Sequence, residues 1–318
     1  MLLLALVALA IGIAGGLARL TPLPVSIIAL ALHGPLMVSG FVGTVLSLER
    51  AAALERRWAH AAPLCAAVGG MLLVAGFPRE GFAAMVLAAL ALLAAGIALL
   101  RRQPSLEMAT LLAGAAAWLM GNLGLILGYP AVPWWIAFFA LTIGGERLEL
   151  SRDLKRPPWT RSAFMALAAA LLFAPLEPPL LGVALILLAL WLFAFDPARF
   201  TLRQAGLPRY LALCLVAGYF WLGLGGALIA LEAAYDAALH AIFVGFVFSA
   251  LPALLRTALP YHPVLYLPLA LLHASLVVRV AISAPIGAWG NALAIALFIV
   301  CAAALALQDR FRRAQTRS

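Results

Sequence analysis

Residues 23–48 read LPVSIIALALHGPLMVSGFVGTVLSL, and the sole ionisable side chain among them is His33. At about 1.5 Å of rise per residue, such a run is long enough as a helix to cross the roughly 30 Å hydrocarbon core of a bilayer. It ends in Glu49-Arg50, where the chain turns polar. An imidazole inside a spanning helix is costly to place and marks a functional position by default.

The same apolar signature recurs along the chain. Stretches near 2–18, 61–77, 82–100, 106–128, 132–147, 162–175, 178–195, 209–231, 235–257, 263–283 and 286–307 bring the expected spans to twelve, separated by Pro, Gly and charged clusters. Hydrophobic residues make up 66% of the 318 positions and charged residues 10%. Mean hydropathy is +1.10. Soluble domains carry about a quarter charged residues. The expectation is therefore an all-α polytopic membrane helix bundle, residues 1–318 forming a single integral membrane domain. The opening run MLLLALVALAIGIAGGLARL has the apolar core of a signal peptide but no basic start, and reads as a retained first helix. Cys65, Cys214 and Cys301 are scattered singly through apolar runs, without pairing or ligand spacing.

The net charge of +9 does not point to nucleic acid, because its placement follows the alternation of the loops. Of the 21 lysines and arginines, only Arg19 and Arg79 lie on one side, and Arg279 lies inside a span near that face. The rest, among them Arg50, Arg101, Arg147, Lys155, Arg203, Arg256, Arg310, Arg312, Arg313 and Arg317, share the other side. Basic loops stay in the cytoplasm, so both termini are expected inside, in a bacterial inner membrane. Arg50, Arg147 and Arg256 also mark three blocks of four helices, the first two 97 residues apart and the last two 109.

Within the first and third blocks the histidines keep step. His33 precedes Arg50 by 17 residues and His240 precedes Arg256 by 16. By helical rise His33 lies about 15 Å below the outer end of its helix, His240 roughly 8 Å, and His273, on a helix of opposite direction, about 15 Å. Two imidazoles at such depth, on helices running the same way, suit a metal or a planar metal macrocycle. Around them lie candidate helpers. Met37 is one turn from His33, either a soft ligand or gap filler. Asp236, four residues before His240, can accept its free imidazole N–H or simply mark the start of the helix. Arg279, assisted by Arg19, can meet Asp236 or the carboxylate of a cofactor. His33, Met37, Gly40, Thr44 and Ser47 form one narrow helical stripe. His60 and His262 sit in or beside inner loops, and Trp134-Trp135 reads as part of an outer aromatic belt.

The stretch LHGPLMVSGFVGTVLSLER, with His33, Gly34, Met37, Gly40 and Phe41, resembles the second helix of the haem–copper oxidase superfamily, and more closely the NnrS family of membrane proteins linked to nitric oxide stress. DAALHAIFVGFVFSALPALLRTALPYHP, with His240, Val244, Gly245, Arg256 and His262, resembles an NnrS-like segment. The resemblance implies a b-type haem with His33 and His240 as axial ligands, and leaves open whether copper is bound as well. It also implies a role in nitric oxide response, redox sensing or electron transfer, with a redox partner or respiratory-complex subunits as candidate partners. The oxidase pattern of further histidines on the sixth, seventh and tenth helices is absent, so an oxidase-type binuclear centre, or turnover as an enzyme, is not expected. Two other classes compete: a cofactor-free transporter moving protons or anions past the histidines, and an assembly subunit in which they serve packing.

Overall fold

The computed structural model describes residues 1–22, 27–152, 154–255 and 259–315. Arg256, and the side chains of Arg310, Arg312, Arg313 and Arg317, lie outside the described part, as do residues 23–26 of the second expected span. Each of the twelve stretches marked in the sequence coincides with a helix among the described residues. Among the described residues, which form helices and no strands, ten helical segments are long and apolar enough to cross a membrane, the mark of a multi-pass membrane protein by length and composition. The other two are Leu2–Ala18, seventeen residues long, and Val132–Leu150, which carries Glu146, Arg147 and Glu149.

The chain separates into two compact units, Met1–Glu149 with Arg161–Glu177, and Leu150–Thr160 with Pro178–Ser318. The first unit opens with α1 (Leu2–Ala18). Next comes a broken helix made of α2 (Ile27–Pro35), a π-helical segment π1 (Leu36–Gly43) and α3 (Thr44–Leu54). A short 3-10 turn (Arg57–His60) leads into α4 (Ala61–Val74), which packs on α5 (Pro78–Arg102). Then follow α6 (Leu106–Leu127), α7 (Val132–Leu150) and α8 (Trp159–Phe173). Every residue of α7 from Trp135 to Leu148 is buried, Glu146 and Arg147 included, as befits a helix enclosed on all faces by its neighbours.

Pro35 gives the physical reason for the break before π1. Proline has no N–H to offer the carbonyl four residues back, and its ring crowds that carbonyl. The helix continues through the wider i→i+5 turn, a rare form that clusters at functional sites.

The second unit starts with α9 (Pro178–Phe195) and the short α10 (Ala198–Thr201), followed by α11 (Leu207–Ala230). A second broken helix follows: α12 (Tyr235–His240), π2 (Ala241–Phe248) and α13 (Ser249–Leu254). Here Pro252 lies inside α13, and it withholds an N–H from the carbonyl of Phe248, where π2 ends. Another 3-10 turn (Pro263–Leu265) leads into α14 (Tyr266–Ala281), which packs on α15 (Ala284–Gln315).

The two units thus repeat one order: a helix, a broken helix with an eight-residue π segment, a 3-10 turn and a pair of packed helices. π1 packs on α1 and α4, and π2 packs on α11 and α14. The π segments align residue for residue, Gly40-Phe41-Val42 falling on Gly245-Phe246-Val247. Gly40 lets π1 approach Ala8 and the backbone of Gly70, while Gly245 lets π2 approach Trp221 and Leu276.

Candidate functional site

His33 lies in the last turn of α2. The facing side of α1 is stripped of side chains at Gly12 and Gly16, and the imidazole fills that notch. A Cβ on Gly16 would come within 2.7 Å of His33 Cε1 and 2.8 Å of Nδ1. His33 Nδ1 is 2.6 Å from the carbonyl oxygen of Gly12. A carbonyl only accepts, so Nδ1 carries the proton and Nε2 the lone pair. This is the tautomer and the outer-shell contact of a ligating histidine. Met37 packs into the same notch: a Cβ on Gly12 would lie 2.9 Å from its sulfur. The thioether therefore fills a groove, as soft side chains do. Arg19, expected beside a cofactor carboxylate, donates from Nε to the carbonyl oxygen of Leu30 at 2.9 Å, and from Nη2 to the same oxygen. It ties the end of α1 to the start of α2.

In the second unit His240 ends α12. Its Nδ1 is 2.8 Å from the backbone oxygen of Asp236 and 3.3 Å from the carboxylate Oδ1. The same tautomer follows, with the lone pair on Nε2. Asp236 is also the partner of Arg279, whose Nη2 donates to Oδ2 at 3.1 Å and Oδ1 at 3.4 Å. Of the two partners considered for Arg279, the acid is the one in contact. The Arg279 side chain is 7% exposed and that of Asp236 59%, so a buried guanidinium is answered by a carboxylate at the surface.

His273 is arranged differently. The indole N–H of Trp221 donates to His273 Nδ1 at 2.9 Å. Nδ1 is then the acceptor and Nε2 carries the proton, buried and without a hydrogen-bond partner among the described residues. An N–H at that position does not suit metal ligation. Among the described residues no cluster of three or more His, Cys, Asp or Glu side chains could hold a metal ion; a haem needs only axial ligands. His262 is exposed and accepts the backbone N–H of Val264 at 3.1 Å, capping the 3-10 turn.

Sequence reasoning missed a buried polar hub around π1. Ser39 Oγ donates to Asn122 Oδ1 at 2.8 Å, and the Trp118 indole donates to Ser39 Oγ at 3.0 Å. Trp135 donates to Asn122 Oδ1 at 3.2 Å, and Asn122 Nδ2 donates to the carbonyl of Met85 at 3.0 Å. All four side chains are buried. Trp135 is therefore no belt residue, which corrects the expectation for the Trp134-Trp135 pair. Arg50 and Glu146 also form an ion pair, with side chains 18% and 8% exposed, and Arg161 reaches the buried Glu107 at 3.7 Å.

A family model described as a domain of unknown function, DUF8744, matches residues 1–307. The chain belongs to that family. No curated protein and no solved structure matches it.

Proposed function

We infer that this member of the DUF8744 family is a haem-binding protein of the bacterial inner membrane related to NnrS, crossing twelve times with both termini in the cytoplasm. Each of His33 and His240 would offer an imidazole nitrogen to the iron of a b-type haem. One observation carries this reading: each imidazole hands its Nδ1–H to a backbone carbonyl of its own unit, Gly12 for His33 and Asp236 for His240. In that tautomer Nε2 carries the ring's lone pair in both, the atom through which each imidazole would bind a haem iron. His273 lacks this arrangement and is not an axial ligand. A b-type haem with both axial positions filled supplies one-electron chemistry without an open site for gas, which favours electron transfer or redox sensing within a nitric oxide response. Arg19 and Arg279 each have one protein acceptor, at Leu30 or Asp236, and a guanidinium keeps further donors for a cofactor carboxylate.

The test is an absorption spectrum of the purified protein with haem extraction and metal analysis. A b-type spectrum, lost in both His33→Ala and His240→Ala, supports the reading; a folded, colourless preparation containing neither haem nor copper ends it.

A second reading has its own observation. His240, Asp236 and the buried Arg279 form a linked polar group, of the kind that lines a cofactor-free path for protons or anions. Flux into proteoliposomes that depends on Asp236 and His240, with no bound metal, would favour it.

A further inference from the structure

We propose that the buried tryptophans are locks that hold the two π segments, and that Ser39, Asn122 and His273 are positioning residues setting the direction in which His33 and His240 point. The proposal deepens the haem reading and rests on it for the spectroscopic arm of the test.

An i→i+5 turn is rare and appears mostly as a single-turn bulge inside an α-helix, so a run of eight residues needs neighbours that favour it. In the first unit two indoles grip π1 at its two ends. Trp135 lies against Gly34, one residue after His33, and Trp118 lies in the space that Gly43 leaves at the exit of π1. Neither indole is free to turn, because Trp135 donates to Asn122 and Trp118 to Ser39. Ser39 is itself the middle of π1, and its own hydroxyl hydrogen goes to Asn122. The hub is closed: its donors and acceptors answer one another, with the carbonyl of Met85 completing Asn122. Such satisfied buried networks fix one geometry.

The second unit solves the same problem with other residues. Val244 stands in the register place of Ser39, so π2 offers no hydroxyl there. The gripping indole is Trp221, packed into the space at Gly245, and the group that orients it is His273 Nδ1. This assigns a role to the intramembrane histidine that does not fit as a ligand.

The consequence for the site is geometric. A π segment carries an extra residue relative to an α-helix, so its relaxation to α turns everything upstream by about 100°, the angle of one residue. His33 sits just upstream of π1 and His240 just upstream of π2. Loss of a lock would swing His33 out of the Gly12–Gly16 notch, or His240 away from its present heading.

Ser39→Ala and His273→Leu remove the locking polar atoms; Ser39→Thr and His273→Gln keep an acceptor for the indole. In detergent-purified full-length protein, carbethoxylation of histidines by diethyl pyrocarbonate is followed by mass spectrometry. Expected is a severalfold rise at His33 in Ser39→Ala and at His240 in His273→Leu, with wild-type rates in Ser39→Thr and His273→Gln. In haem-loaded preparations the low-spin electron paramagnetic resonance signal and midpoint potential shift in the same two variants and return in the conservative ones. Unchanged labelling and unchanged spectra in folded Ser39→Ala and His273→Leu overturn the locks. A wild-type protein without haem, but with the expected labelling pattern, overturns only the haem reading.

Discussion

The ring of His33 lies where a side chain on Gly16 would be, with a Cβ there only 2.7 Å from Cε1. The glycine is thus part of the histidine's seat. Gly16→Ala is expected to displace the imidazole and, on the haem reading, to abolish the haem spectrum as completely as His33→Ala. Overpacking of this kind costs about 1–3 kcal/mol, so the variant still folds. Absorption and thermal unfolding of the two variants side by side check this.

Asp236 and Arg279 form an asymmetric pair, the acid 59% exposed and the guanidinium 7%. Removing the acid leaves a charge inside the helix bundle, at a cost of up to about 3 kcal/mol, reduced by the exposure of Asp236 to solvent. Asp236→Asn is expected to lower the midpoint of unfolding, and Asp236→Asn with Arg279→Met to restore part of it. A double variant no more stable than the single one would count against the pair.

Asn122→Leu strands the indole N–H of Trp135, the hydroxyl of Ser39 and the carbonyl of Met85. A buried polar group left unpaired costs about 1–3 kcal/mol. The substitution is expected to be among the most destabilising in the chain, beyond about 3 kcal/mol, as measured by unfolding in mixed micelles. Trp118→Phe, which removes one donor and keeps the ring packed on Phe138 at 5.3 Å, is expected to cost about 1 kcal/mol.

If the protein binds haem as proposed, His273→Gln is expected to leave its haem and metal content unchanged, since Nδ1 of His273 is engaged by Trp221 and Nε2 is a donor. Elemental analysis and a pyridine haemochrome assay decide it. Loss of cofactor in this variant would return His273 to the ligands.

The helices were legible because an apolar run of bilayer length has few other folded uses. The pairing of Asp236 with Arg279 was legible too, as one of two partners for a cation that needs one. Trp135 was misjudged because two tryptophans at the start of a helix look interfacial, whereas the acceptor that draws one inward, Asn122, lies on a different helix. The contact of Arg19 was out of reach for a similar reason: its acceptor is a backbone carbonyl, which any residue at position 30 would provide. The π segments left a trace in the repeated Gly-Phe-Val triplets and in Pro35 and Pro252. Proline alone does not distinguish a kink from a widened turn. The indoles that hold the wide turns are distant in the chain.

One copy of the broken helix is fastened by a four-residue polar knot and the other by a single indole–imidazole bridge. Fastenings of unequal strength do not release together. Heat or denaturant is expected to free the C-terminal copy while the N-terminal one still holds, giving two melting steps.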